Sequence, residues 1–183
     1  MNNGDLLKAI ESEFPGIMDN SSEPHGLLTI EIPKANIIPV INWLKTNEYT
    51  NFMFLTDLCG VHYPNDIDKE FAIVYHLHNL EQNVRLRLKT FASRLDLNVP
   101  TLCNIYSAAN WMERETFDFY GINFEGHPNL IRILNMEDMD YFPMRKEYPM
   151  EDDTRTDKDD RFFGRGGNEE VTFDDKKALA RKN

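Results

Sequence analysis

The sequence predicts an α+β domain in which helices pack on a mostly antiparallel sheet, followed by an extended C-terminal arm. Three observations predict it. Apolar residues recur at helical spacing in two early segments, Leu6, Leu7, Ile10 and Phe14, then Ile37, Ile38, Ile41 and Leu44. Runs with strand-like alternation follow, two of them joined by a link short enough for a hairpin. Beyond Gly121 the periodicity stops, and prolines at positions 128, 143 and 149 favour an extended course.

Taken in order, Pro15-Gly16 stops the first helix, and a turn-rich stretch over 19–26 leads into a short strand, Leu27 to Ile32. Pro33 ends that strand and stands near the start of the second helix. Phe52 to Leu58 is almost wholly apolar and reads as a central strand covered on both faces. Phe71, Ile73, Tyr75 and Leu77 alternate with Ala72, Val74, His76 and His78, and the link 79–83 suits a hairpin. Val84, Leu86 and Leu88 then alternate with Arg85, Arg87 and Lys89, a strand with one wet, basic face. Ser107 is placed to cap a helix that runs to Tyr120, with Gly121 where a left-handed C-cap residue is usual. One face of that helix, with Ala108, Ala109, Met112, Thr116, Phe119 and Tyr120, is expected to bury in its own domain. The other carries Trp111, Arg114 and Asp118 and suits a partner. The expected divisions are an α+β domain over 1–121, an extended partner-docking arm over 122–149 and an acidic tail over 150–183. That tail holds too little apolar surface to fold alone and is either flexible or partner-bound.

The chain has 183 residues, 41% hydrophobic and 28% charged, enough for one compact domain and an appendage. Its net charge of −11 argues against a nucleic-acid binder and against adhesion to anionic lipid by charge. No apolar run approaches the roughly 20 residues that span a bilayer. The opening Met1-Asn2-Asn3-Gly4-Asp5 resembles neither a secretory signal nor a transit peptide, so cytoplasmic residence is expected. Cys59 and Cys103 stand far apart, two thiols where an all-thiolate iron–sulfur cluster needs four, and read as small buried hydrophobes.

Chemical constellations are sparse. Glu113, Glu115 and Asp118 are interleaved with Arg114 one or two turns apart, a pattern that makes local ion pairs as readily as acid–base chemistry. His76 and His78 share one side of a strand with no evident third ligand, and His62 and His127 lie in other segments. Gly164-Arg165-Gly166-Gly167 follows no strand and lacks the lysine–serine partner of a nucleotide loop. No serine stands in a nucleophile elbow. No catalytic, metal or cofactor-binding residue is therefore assigned. Arg145-Lys146, between Pro143 and Pro149 and flanked by Phe142 and Tyr148, combines stiffness, cations and aromatics, which suits docking.

Four blocks carry a resemblance. They are Ala108-Ala109-Asn110-Trp111-Met112-Glu113-Arg114-Glu115 with Asp118-Phe119-Tyr120-Gly121; Phe124-Glu125-Gly126-His127-Pro128; Arg132-Ile133-Leu134; and Pro143-Met144-Arg145-Lys146-Glu147-Tyr148-Pro149. In this order and spacing they resemble the 30 kDa subunit family of respiratory complex I (NDH-1), the proton-pumping NADH–quinone oxidoreductase, in which this is the C subunit. The departures are Tyr141-Phe142 before Pro143, Met144 where leucine is usual and Glu147 where aspartate is usual.

The resemblance implies an α+β domain with a C-terminal arm that embraces the large D subunit, which helps form the quinone site. It places the chain near the cluster-bearing B subunit, in the peripheral arm on the cytoplasmic side of the bacterial inner membrane. It implies no cofactor in this chain, FMN and iron–sulfur clusters belonging to partner subunits, and no activity of its own. Trp111, Glu113, Arg114, Glu115, Asp118, Arg132, Phe142, Arg145, Lys146 and Tyr148 are then partner-interface candidates. The other readings are the equivalent subunit of a membrane-bound hydrogenase-type complex and a free-standing acid–base enzyme.

Overall fold

Helix α1 (Asn3–Glu13) begins where the Asn2 side chain accepts the Asp5 N–H at 2.8 Å, and it buries Leu6 and Ile10. The computed structural model describes residues 2–148. Strands β1 (Asn20–Ser22) and β2 (Leu28–Glu31) follow, then α2 (Ile37–Thr46), which buries Ile37, Val40, Ile41 and Leu44. Pro39 sits in the first turn of α2, where its missing N–H leaves no bond unmade.

Three long strands complete the main sheet: β3 (Phe54–His62), β4 (Phe71–Asn79) and β5 (Val84–Ala92). Their order with the first two is β1-β2-β5-β4-β3, antiparallel except for the β2–β5 pair. The fold is thus α+β on a mostly antiparallel sheet, as expected. The predicted hairpin joins β4 to β5, and Asn79 ties it down by donating to the Thr50 carbonyl at 2.8 Å and accepting the Gln82 N–H at 2.9 Å. The most deeply buried strand is β4, out of solvent at eight of its nine positions. The expectation for Phe52–Leu58 needs correction: β3 is an edge strand, with Phe54 exposed and a register shift between Leu55 and Asp57. Its apolar run reads as two-sided because only part of it faces the core.

Two three-residue strands, β6 (Asn98–Pro100) and β7 (Asn123–Glu125), pair in parallel and flank α3 (Ala109–Tyr120). Both are too short to show a period. The helix starts at Ala109 and has no side-chain cap, so Ser107 does not serve as one. Gly121 closes it as expected, at φ 74°, with its N–H on the Phe117 carbonyl at 2.8 Å.

Helix α3 packs against β3, where Gly60 lets the helix come close: a Cβ there would stand 2.6 Å from the Tyr120 ring. Its buried residues are Ala109, Glu113, Thr116 and Asp118, two carboxylates among them. Ala109, Glu113, Thr116 and Tyr120 fall on the sheet side by helical spacing; Asp118 falls on the opposite side. That opposite side is covered too, by residues 131–135 of the chain itself. Residues up to Tyr148 form one compact unit with the sheet. The tail expected over 150–183 lies outside the described residues.

Candidate functional site

Asp118 organises the region beyond α3. Its Oδ2 accepts the backbone N–H groups of Ile133, Leu134 and Asn135 at 3.1, 2.8 and 3.0 Å. Its Oδ1 accepts Arg132 Nη1 at 2.8 Å and the Asn135 amide at 3.0 Å. Burial raises the pKa of this carboxyl, but the hydrogen bonds from Asn135, Leu134 and Arg132 outweigh it and hold the group well below the usual carboxylate range. Successive N–H groups converge on one oxygen because the chain turns tightly around it, an anion-binding nest filled from within.

Arg132 carries the order onward. Its Nη2 donates to the Met139 and Tyr141 carbonyls at 2.8 and 3.0 Å, and its guanidinium lies 4.9 Å from the Phe142 ring. Arg145 donates from Nε to the Tyr120 carbonyl at 2.8 Å and lies between the rings of Phe71 and Phe142, at 5.1 and 4.7 Å. The arm is then clasped to the sheet. The Lys146 N–H donates to His62 Nδ1 at 2.9 Å, so the proton of this buried ring sits on Nε2, 3.0 Å from Glu70. Arg94 bridges Glu70 and Glu147 at 2.7 and 2.8 Å, and its hydrogen bond is the main cause that holds the Glu70 pKa down.

On the sheet side, Glu113 is fully buried and accepts the Thr101 hydroxyl at 2.5 Å and the Leu102 N–H at 2.6 Å. Unlike Asp118 it has no arginine or lysine partner among the described residues, and burial raises its pKa. Neither carboxylate meets solvent, so the expectation that Glu113 and Asp118 form part of a partner interface is corrected. Both serve the chain's own fold, because each is enclosed and saturated with internal donors. The same enclosure removes them as acid–base groups facing a substrate. Arg132, Arg145 and the Phe142 ring are largely engaged inside the chain.

Other candidates face outward. Trp111 is 63% exposed, with the Arg114 guanidinium 5.1 Å from its ring. Arg114 donates to the carbonyls of Ile131 and Arg132 at 3.0 and 3.2 Å, which joins Trp111 to a loop whose Ile131, Leu134 and Met136 are exposed. Glu115 is exposed and makes no hydrogen bond or ion pair among the described residues. Lys146 is exposed, and among the described residues its side chain makes no hydrogen bond or ion pair; Tyr148 packs on Tyr141 at 5.0 Å. Sequence reasoning missed His62, Glu70 and Arg94, which lie outside the arm; His62 and Arg94 stand 84 and 53 residues before the arm residues they bind. It also missed Ile131, Leu134 and Met136, apolar residues in an aperiodic segment, a signal that was available.

Among the described residues, two groups could bring metal-type donors together, Cys103–Glu113–His127 and His62–Glu70–Glu147. Arg94 already supplies the cation in the second. In the first, His127 accepts the Asn129 N–H on Nδ1 and meets the Asn110 carbonyl through Nε2, so both ring nitrogens are occupied. Cys59 and Cys103 are only half-buried; burial, with Asp57 behind it, pushes the Cys59 thiol up to about 11. His76 and His78 share the sheet face opposite to His62, hydrogen-bonded to Arg87 and Asn83.

The model of the respiratory-chain NADH dehydrogenase 30 kDa subunit family matches residues 30–154, which takes in α2, the strands β3 to β5, α3 and the clasped arm. The chain belongs to this family. It is 41% identical over 145 residues to the C subunit of the NADH-quinone oxidoreductase of Xanthobacter autotrophicus, covering 79% of this chain and 68% of that one. It is 39% identical over 150 residues to the corresponding C subunit of Streptomyces coelicolor, covering 80% and 60%. Among solved structures, the trypsin-resistant fragment (1-134) of Nqo5 aligns with a TM-score of 0.59 at 29% identity, over 71% of this chain and 100% of the fragment. A chain of the membrane-bound sulfane sulfur reductase, an archaeal respiratory membrane complex, aligns with a TM-score of 0.69 at 26% identity, over 80% and 85%. In this 30 kDa family member, no helix of the described residues is long and apolar enough to cross a membrane.

Proposed function

We propose that this chain is a non-catalytic, cofactor-free subunit in the peripheral arm of a proton-translocating NADH–quinone oxidoreductase. NADH oxidation at FMN, electron transfer through iron–sulfur clusters and quinone reduction then take place in other subunits. Family membership and the names of its relatives support the complex. One observation carries the docking role. Asp118, Arg132 and Arg145 spend their charges on rigidifying the segment 131–148, in which Ile131 and Leu134 are exposed, and Arg114 joins the exposed Trp111 of α3 to that segment. A strip of exposed large side chains held on a preorganised backbone loses little entropy when a partner covers it. By this reading the arm over 122–149 grips the large D subunit beside the cluster-bearing B subunit, and membrane attachment on the cytoplasmic side is indirect.

A second reading is the same module in a membrane-bound hydrogenase-type assembly; the likeness to a chain of another respiratory membrane complex, the archaeal sulfane sulfur reductase, supports a module shared beyond NADH–quinone oxidoreductases. Gentle purification of the tagged full-length chain separates the readings. Co-purified flavin, iron–sulfur absorbance and NADH–quinone activity support the first. Iron–sulfur absorbance without flavin or NADH oxidation supports the second. A stable monomer, active without partners, overturns both.

A further inference from the structure

The helices pack on one face of the main sheet; on the other, Thr29, Ala72 and Val74 are buried, Arg87 and Lys89 are half-buried and Arg85 is exposed. Leu6 of α1, Ile41 of α2 and Ala109 of α3 join a core with Leu58, Tyr75 and Leu88, which stand in register on one side. On the other side β5, the middle strand of five, presents Arg85, Arg87 and Lys89 at alternate positions, about 7 Å apart along the strand. A wet face on an antiparallel sheet is ordinary, and it requires polar groups. It does not require one sign of charge in a row, least of all in a chain of net charge −11.

Glu31 and Asp57 share this face, and among the described residues neither makes a hydrogen bond to the row. Glu31 lies 3.6 Å from Lys69 Nζ, and Asp57 lies 3.6 Å from His76 Nδ1. Among the described residues, Arg85, Arg87 and Lys89 enter no ion pair. Arg87 donates instead to His76 Nε2 at 2.9 Å. Partial burial, and then Arg87 itself, hold the His76 pKa down, so this acceptor does not neutralise the guanidinium. At the Arg85 end, Phe54 stands across His78 on the same face and is 47% exposed.

We propose that this face, on which no helix packs, is a second docking surface, which takes an acidic protein segment laid along β5 with its carboxylates on Arg85, Arg87 and Lys89 and an apolar residue on Phe54. An extended segment repeats its side chains at the spacing of the row, so each carboxylate meets one cation. A long polyanion or a charged bilayer reaches beyond the row and meets the repulsion of the acidic remainder; a short segment does not. The surface lies on the sheet face opposite to α3 and does not depend on docking through the arm.

The test uses the full-length chain and a fluorescein-labelled peptide of alternating glutamate and threonine, read by fluorescence anisotropy at low and at physiological salt. Binding should weaken with salt, and the R85E/R87E/K89E variant should lose roughly tenfold or more in affinity. Arg85 and Lys8 are both exposed, Lys8 on α1 across the sheet, so R85E and K8E change net charge equally at different places. R85E alone should weaken binding measurably and K8E should not. R85E rests on an exposed side chain and keeps the test open if the triple variant does not fold. Equal loss in K8E and R85E, no binding by the unaltered chain, or stronger binding to heparin or phosphatidylserine vesicles than to the peptide overturns the proposal.

Discussion

Asp118 and Arg132 form an enclosed ion pair at 2.8 Å, the carboxylate wholly out of solvent and the guanidinium 9% exposed. The pair joins the last turns of α3 to the loop that covers it. Its value lies in the donors around it as much as in the pair, since enclosed charges lose hydration that only a full set of hydrogen bonds restores. D118N leaves Arg132 without its counter-charge and turns an amide NH2 toward converging N–H groups. A loss of about 3 kcal/mol in unfolding free energy is expected from urea titration. A loss below about 0.5 kcal/mol, the range of neutral surface changes, contradicts it.

The same pair sets an acid limit. The folded pKa of Asp118 is depressed, so its contribution is complete above the unfolded value of about 4 and is lost as pH falls through the lower folded value. Stability of the unaltered chain should therefore fall more steeply below about pH 4 than that of D118N, as chemical unfolding across pH would show.

Glu113 behaves in the opposite sense. Its folded pKa is raised, so the charged form is disfavoured in the folded chain, and the group costs stability as pH rises through the folded value. In E113Q the Thr101 hydroxyl can turn to accept from the amide NH2 while the Leu102 N–H keeps its acceptor. E113Q is expected to be neutral or slightly stabilising at pH 7, and E113A to cost about 2 kcal/mol through unpaired donors. Equal losses in both variants contradict this account.

Arg94 tests the clasp. Its side chain is half exposed, so R94A should change global stability by less than about 1 kcal/mol. It should nonetheless free the chain around Arg145 and Lys146, seen as faster tryptic cleavage there and faster hydrogen exchange at the Lys146 amide. Unchanged exchange at that amide means that Glu147 and Arg94 do not hold the arm.

Two glycines mark places where backbone and ring meet. Gly121 has φ 74°, and a Cβ on it would stand 2.5 Å from the Phe142 ring. G121A combines a left-handed penalty with a clash at the base of the arm and should cost about 2 kcal/mol or more. G60A pushes Tyr120 off β3 with no backbone strain and should cost about 1–3 kcal/mol. Thermal or urea unfolding measures both, and Tm shifts near zero contradict the close approach.

Trp111 separates folding from assembly. Being 63% exposed, it should tolerate W111A within about 0.5 kcal/mol in the isolated chain. In cells the same change should lower co-purification of partner subunits, as loss of an aromatic anchor does. Full recovery of the complex removes Trp111 from the interface.

The main helices, the long strands, the β4–β5 hairpin and the Gly121 stop were legible because each rests on local spacing or on one backbone requirement. The four sequence blocks led to the right family because short-range order along the chain survives in them. The rank of β3 in the sheet and the short ladder of β6 with β7 were not legible, since pairing is a long-range relation.

The sequence by itself determined where the main helices and long strands form, the family the chain belongs to, and that charges and aromatics crowd between positions 110 and 149. Only the tertiary structure decided what those charges face. Asp118 and Arg132 meet across a loop, Glu113 turns under α3, and Arg145 slides between Phe71 and Phe142, rings from segments far apart along the chain. A charge looks the same in a sequence whether it meets water, a partner or its own chain. Burial distinguishes the three, and burial is set by all the elements packed around it.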